Sequence, residues 1–438
     1  RFFKYVSQNI LAMIGLSLYI LADTYFISKA VGANGITALN MALPVYGVIF
    51  ALGQMVGVGS AIRYSIVKEQ YRNSNKDGSN ECDKYFSGAL FWGLVIGVIF
   101  AVLGLVFPDK IVEIMGGDET IVAIGVPYFR IFMSFSPFFI FNYTCNAFVR
   151  NDGNPSVSMA ATLISSLFNI VFDYILMFPL GMGMPGAALA TALSPVVGVM
   201  ICMIHFLSKK NTVKFKWFKT SLTRLFHCCQ VGMSAFVGEM SGAVIVMVFN
   251  FIILRLTGNI GVAAYGVVAN TALVAVAVFN GVALGSQPLI SESYGKHNIK
   301  DIKLIEKLGV ATALGLAVII VMMIWGFTDT IVGVFNSQGS DRLLSLARVG
   351  LRIYFIGFLF AGINIFCSSA LSAIASVKWA FVLSILKGFV VVNVCTAILA
   401  PIFGMNGVWV AFPLSEFILL IISGFAMKKS IGALESER

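Results

Sequence analysis

The stretch FNIVFDYILMFPLGMGMPGAALAT, Phe168 to Thr191, decides how the rest of the chain is read. It sets Asn169 and Asp173 in a long apolar run. The two are four residues apart, so a helix places them on one face, a turn apart. A Pro/Gly-rich break follows, Pro179 to Gly186, and a second apolar run then carries Thr191 near its start. The pattern predicts two membrane helices joined by a tight turn, both offering oxygen ligands. A carboxylate in hydrocarbon is costly, so it faces a protein interior or a wet cavity. One other acid is placed comparably, Asp23 in SLYILADTYFI. Asp23, Asn169, Asp173 and Thr191 are therefore expected to form one polar site. The competing reading makes Asn169 and Asp173 interhelical glue, which membrane bundles also use.

Composition agrees with spans throughout. The chain has 438 residues, 58% apolar and 11% charged, with mean hydropathy +0.91; a soluble chain carries about 25% charged residues. This is an all-α polytopic membrane protein with no soluble domain between its spans. The net charge of +10 suits loops facing anionic lipid rather than nucleic acid. The seven cysteines contain no C-x-x-C pair, and those in apolar runs (Cys145, Cys202, Cys367, Cys395) read as small buried hydrophobes. His205, His227 and His297 are scattered and make no metal set. The first apolar run is long and carries Asp23, so it reads as a span rather than a cleaved signal peptide.

A span needs about 20 apolar residues. Twelve runs qualify: 6–30, 37–62, 86–107, 121–148, 156–179, 185–208, 226–254, 261–290, 308–327, 344–374, 379–402 and 406–427. With the N-terminus on one side, 22 of the 30 Lys and Arg fall on that side, Lys76 and Arg438 among them. Five fall opposite, counting Lys29 and Arg348 at the outer ends of their runs, and Arg130, Arg352 and Lys387 lie deeper within spans. By the positive-inside rule both termini are expected in the cytoplasm.

The chain is also a repeat. Gly32-x-x-Gly35 matches Gly258-x-x-Gly261, and Gly59-Ser60 matches Gly285-Ser286, at an offset of 226. Arg130, Asn142 and Cys145 match Arg352, Asn364 and Cys367 at 222, and Gly183-Met184-Pro185-Gly186 matches Gly404-Met405-Asn406-Gly407 at 221. Each half has six spans, an even number, so the copies share one orientation, as transporter halves often do. Two lobes, 1–208 and 226–438, are expected, joined by a basic linker, 209–225, that reads as a solvated, lipid-facing loop. At the offset of 221, Asn169, Asp173 and Thr191 meet Val390, Val394 and Phe412, so the polar site belongs to the first half. The second half has its own intramembrane acids, Glu239 and Glu416.

Gly181-x-Gly183-x-x-Gly186 fits the dinucleotide fingerprint only on paper, because helices flank it where a strand is required. Its glycines suit a tight turn and close helix packing. There is no G-x-x-x-x-G-K-[ST], zinc spacing or nucleophile elbow, so an enzyme has no support and energy must come from an ion gradient or a partner. Tyr19 lies four residues before Asp23, Asn142 lies four before Asn146, and Tyr128 enters the same span as the asparagines. With 38 Phe and 18 Met, these residues describe an apolar chamber with a few convergent polar groups, suited to lipophilic ligands.

The segments LADTYFISKAVGANGITALN, FVRNDGNPSVSMAATLISSLFNIVFDYI, GMGMPGAALATALS, LGSQPLISESYGKHN and GMNGVWVAFPLSE together resemble the multidrug and toxic compound extrusion (MATE) transporters, in the bacterial MepA/DinF-like branch. The resemblance covers essentially the whole chain. It implies twelve transmembrane helices in two pseudo-symmetric six-helix lobes around a central cavity. It also implies export of organic cations from a bacterial cell, across the inner membrane, in exchange for H+ or Na+. Carried over by residue, Asp23, Asn169, Asp173 and Thr191 look like the first-lobe cation or proton site, and would be the metal ligands if Na+ is the ion. Tyr19, Tyr128, Asn142 and Asn146 resemble first-lobe pocket positions. Glu239 looks like an acid on the seventh helix with a part in second-lobe coupling and substrate binding. Many relatives carry a proline near the start of the first helix. SQNILAMIG has none, which puts a proline-hinged bend of that helix in doubt. The expectation is a monomeric secondary-active drug exporter without cofactor, whose partners are small organic cations and membrane lipid. The alternative is a flippase or exporter of a lipid-linked or other amphiphilic metabolite on the same two-lobe plan. Such an anionic cargo calls for an arginine-rich cavity, whereas the spans hold three basic residues against four acids.

Overall fold

The computed structural model describes residues 1–74, 78–115, 117, 119–335 and 340–436. Lys76 and Arg438, both counted in the basic bias, lie outside them. Among the described residues there are α-helices and no strand, as a bilayer requires of segments that must satisfy their own backbone groups. In chain order they are α1 Phe2–Ala30, α2 Ala33–Asn73, α3 Ser79–Val106, α4 Pro108–Ile114, α5 Glu119–Ser134, α6 Ser136–Asn151, α7 Pro155–Met177 and α8 Met184–Phe206. There follow α9 Leu222–Thr257, α10 Asn259–Gly295, α11 Ile299–Phe335, α12 Asp341–Tyr354, α13 Phe358–Ala373, α14 Val377–Ile385, α15 Val392–Phe403 and α16 Met405–Ser436. Eleven helices or helix runs are long and apolar enough to cross a membrane, and a bent pair, α5 with α6, makes the twelfth.

That pair is the run 121–148 of the sequence. It bends by 46° at Phe135, because Pro137 stands in the first turn of α6 and lacks the N–H that a continuous helix needs. Gly97 of α3 lets the bend approach, since a Cβ there would sit 2.5 Å from Pro137 Cα. The matching run of the second half is interrupted by a 3-10 turn, Phe355–Gly357, at the same offset of 222. The repeat is visible in the turns as well. Gly32 and Gly258 have φ of 80° and 69°, and Gly183 and Gly404 have 58° and 59°, a left-handed region that glycine enters without a Cβ clash. α1 runs unbroken from Phe2 to Ala30, without a proline.

The chain divides into two compact units, Phe3–Phe236 and Val237–Arg438, with the boundary inside α9. The first unit packs around Phe129, Phe132, Phe139, Ile27, Met177 and Ala187. The second packs around Phe249, Phe279, Phe355, Phe358, Trp409 and Phe412. The linker after α8 is largely exposed, as its lysines suggest, but its backbone is fastened to the unit. Asp83 and Ser87, four apart on α3, accept the backbone N–H groups of Lys214 (2.7 Å) and Lys216 (2.9 Å). Lys216 Nζ adds bonds to Asp83 (2.7 Å) and Asn80 (3.0 Å). Deeper in the unit, the buried Asp152 carboxylate accepts from Tyr64, from Lys68 (2.8 Å), from the Thr212 N–H (2.9 Å) and from the Thr212 hydroxyl, and it is bonded to His205 Nε2 at 2.9 Å. One carboxylate thus ties α2, the α6–α7 turn, α8 and the linker together.

Candidate functional site

Four helices of the first unit bring together the residues singled out from the sequence. α1 carries Asp23, α7 carries Asn169 and Asp173, α8 carries Thr191 and α5 carries Tyr128. The tight turn does what its glycines predict. Gly181 and Gly183 adopt φ of 63° and 58°, and Gly186 lets α8 press on α7, where a Cβ would lie 3.1 Å from the Leu176 carbonyl carbon. This pairing sets Asn169 Nδ2 to donate to Thr191 Oγ1 at 3.3 Å. Tyr128 lies close to Thr191 and to both acids, and the carboxyl groups of Asp23 and Asp173 are neighbours.

The group is closed off. Asn169 and Asp173 are 0% exposed, and Asp23, Thr191 and Tyr128 are also buried. Both oxygens of Asp173, Oδ1 of Asp23 and Oδ1 of Asn169 are buried and receive no donor. An unsatisfied buried acceptor costs about 1–3 kcal/mol, and more when charged. Four in one cluster form an oxygen-only donor set that a proton shared by the acids, or a hard monovalent cation, would satisfy. The residues fit such an ion. Among the described residues no group of three or more His, Cys, Asp or Glu is placed to hold a metal.

The other acids are handled differently. Glu416, buried on α16, accepts from Asn364 Nδ2 at 2.7 Å, and Ser423 donates to Asn364 Oδ1 at 2.7 Å. That acid is a satisfied structural member. Glu239 stands on an exposed face of α9 and makes no hydrogen bond or ion pair with a described residue. Where the first unit has Thr191, the second has Phe412, stacked on Tyr354 with ring centroids 4.1 Å apart. An aromatic core fills the repeat position of the polar site.

The aromatic neighbours are only partly those expected. Tyr19 Oη bonds Tyr46 Oη at 3.1 Å, and Tyr19 lies near Asp23 and Tyr128. Tyr46 of α2 was not read from the sequence. Its signal is a phenol two residues after Pro44 inside an apolar run, a polar tip that needs a partner there. Asn142 and Asn146 form a separate pair: Asn146 Nδ2 donates to Asn142 Oδ1 at 2.9 Å, and Ser158 donates to Asn146 Oδ1 at 3.1 Å. None of these bonds runs to the acids.

Comparison with known proteins bears on this arrangement. A family model described as MatE matches residues 9–175 and again 235–399. The second match begins 226 residues after the first, which is the offset of the glycine pairs. Multidrug export protein MepA of Staphylococcus aureus (strain bovine RF122 / ET3-1) is 27% identical over 410 residues, 91% of this chain and 86% of that protein. The MepA of Staphylococcus saprophyticus is 24% identical over 396 residues, 89% and 85% of the two chains. Among solved structures, an outward-facing multidrug resistance MATE family transporter of the MOP superfamily superposes with TM-score 0.91 at 22% identity, covering 99% of this chain and 96% of that one. A MOP superfamily transporter from Pyrococcus furiosus superposes with TM-score 0.89 at 22% identity and the same coverage.

Proposed function

Because the chain belongs to the MatE family, whose members include multidrug exporters, we propose that this membrane transporter is a secondary-active antiporter. It carries lipophilic organic cations out of the cell against inward H+ or Na+. The observation that carries the reading is the cluster of four donorless oxygens on Asp23, Asn169 and Asp173. Two adjacent carboxyl groups resist ionising together, so the pair holds a proton between them or gathers a cation with the Asn169 and Thr191 oxygens. Drug and ion then exclude each other, or favour different states of the protein. Either difference in affinity couples one flow to the other. Tyr19, Tyr46 and Tyr128 offer ring faces to a cationic drug. Asn142 and Asn146, braced by Ser158, contribute polar edges, and the unpartnered Glu239, which belongs to the second unit, attracts cations. The termini and the linker lie in the cytoplasm, in line with the Lys/Arg bias.

The test is efflux of a fluorescent organic cation from sealed membrane vesicles, with Na+ and H+ gradients imposed separately. One gradient should drive efflux, and Asp173→Asn at equal expression should abolish that drive. Efflux that needs neither gradient, or that survives unchanged in Asp173→Asn, would overturn the proposal.

A further inference from the structure

A cavity of about 550 Å³ lies in the first unit, away from the acids, between α3, α6, α8 and the linker. Its size is in the roughly 300–1,000 Å³ range of small-molecule sites. Its depth is apolar, lined by Leu90, Leu94, Phe141, Val199, Met203 and Phe206. Leu94, Met203 and Leu207 on its walls are exposed, so it opens on the flank that hydrocarbon covers. Its mouth is basic, carrying Lys84, Lys214, Lys216, Lys219 and Arg224. Glu81 bonds Lys84 and Arg224, and Asp83 bonds Lys216. Lys214 and Lys219 keep exposed ammonium groups with no acidic partner among the described residues. From Lys84 to Leu94 the wall follows ten residues of α3, about 15 Å of helix, which is half of the roughly 30 Å hydrocarbon thickness of a bilayer.

We propose that this cavity holds an anionic phospholipid, with one acyl chain in the apolar chamber and the phosphate on Lys214 and Lys219. The depth matches one leaflet and the mouth carries surplus positive charge. The covering strap presents the exposed Phe215 and Trp217, edge to face at 5.4 Å, at the level where amphipathic rings sit in a membrane. The strap is held over the cavity by its bonds to Asp83 and Ser87, so the chamber is preformed. A free phosphate would use the lysines and leave the chamber unexplained. A soluble acidic protein would not reach ten residues down α3.

The test uses detergent-purified full chain and native mass spectrometry, offering phosphatidylglycerol and phosphatidylcholine with identical chains. Phosphatidylglycerol should be retained at least fivefold over phosphatidylcholine, and Lys214→Gln with Lys219→Gln should reduce that preference to parity. Gly88 faces the cavity, and a Cβ there meets nothing within 4 Å. Gly88→Leu should therefore fold normally, fill the chamber and lose both lipids. It should also lose quenching of the lining residues Trp92 and Trp217 by a brominated acyl chain. Equal retention of the two lipids by the wild type would overturn the proposal. So would unchanged retention in Gly88→Leu. Displacement of phosphatidylglycerol by equal concentrations of glycerophosphoglycerol or polyglutamate would also overturn it, since neither has a chain for the chamber.

Discussion

Asp152 is a heavily bonded acid of the first unit, and its removal gives a sharp prediction. It is buried and takes bonds from Tyr64, Lys68, His205 and Thr212. Asp152→Ala strands each of those donors. The linker's share of that loss is Thr212, whose N–H and hydroxyl lose their acceptor at a cost of about 1–3 kcal/mol. Since about 1.4 kcal/mol is tenfold in an equilibrium, the linker should open roughly 5- to 150-fold more often. Trypsin reads this opening, because cleavage after Lys214 and Lys216 tracks the population of the released strap when reclosing is fast. The pH dependence has a fixed sign. Burial alone would raise the Asp152 carboxyl, but the His205 bond and the Lys68 ammonium outweigh it and hold the group well below the ordinary carboxylate range. A depressed carboxyl contributes stability above its unfolded value of about 3.9. That contribution is lost as pH falls through the folded value. The difference in melting temperature between wild type and Asp152→Asn should thus be full at neutral pH and shrink below about pH 4. Wild-type cleavage rates in Asp152→Ala, or a melting difference that grows on acidification, would refute the reasoning.

Other expectations follow from the same contacts. Gly59→Ala places a Cβ 2.1 Å from the Cys228 carbonyl oxygen and should lower stability by about 1–3 kcal/mol, measurable as a loss of melting temperature that Gly88→Ala does not share. Asn364→Ala strips Glu416 of its side-chain donor and should cost about 1–3 kcal/mol, whereas Asn364→Asp with Glu416→Gln should recover part of the loss in thermal denaturation. Asp23→Asn and Asp173→Asn remove carboxyls whose buried oxygens lack donors; both should melt at or above the wild-type temperature while losing gradient-driven export. Single cysteines at Ser221 and Lys110, in a background without native cysteines, should be labelled from opposite sides of the membrane by an impermeant thiol reagent; same-side labelling would contradict the orientation drawn from the Lys/Arg bias.

Much of the fold is legible because hydrocarbon leaves the chain few choices. Twenty apolar residues demand a helix, and Pro179 to Gly186 demands a turn, so α7 and α8 begin and end within about two residues of the runs seen in sequence. The Asn169–Asp173 spacing led to a face that does meet Thr191, since side chains four apart share a side of a helix whatever its neighbours. What lies between helices was less visible. The bend at Phe135 comes from a proline inside a run that still averages as apolar. Tyr46 joins Tyr19 through tertiary contact alone. The linker's lysines suggest solvent, yet its backbone N–H groups, which carry no residue-type signal, are what fasten it to Asp83 and Ser87. Asn142 and Asn146 share a face as their spacing requires, but Ser158, twelve residues on across the turn, takes up the amide oxygen of Asn146.

In the proposed mechanism Asp23 and Asp173 hold the ion that a drug displaces. The direct measurement is ion release on drug binding to the purified protein in weakly buffered detergent solution. A pH indicator reports protons and a sodium-selective electrode reports Na+. The wild type should release about one proton or one Na+ per cation bound, as expected of two close carboxyls that share a single positive charge. Asp23→Asn and Asp173→Asn should bind the drug and release neither. Release of the same ion, in the same amount, from both variants would show that the charge is held elsewhere and contradict the mechanism.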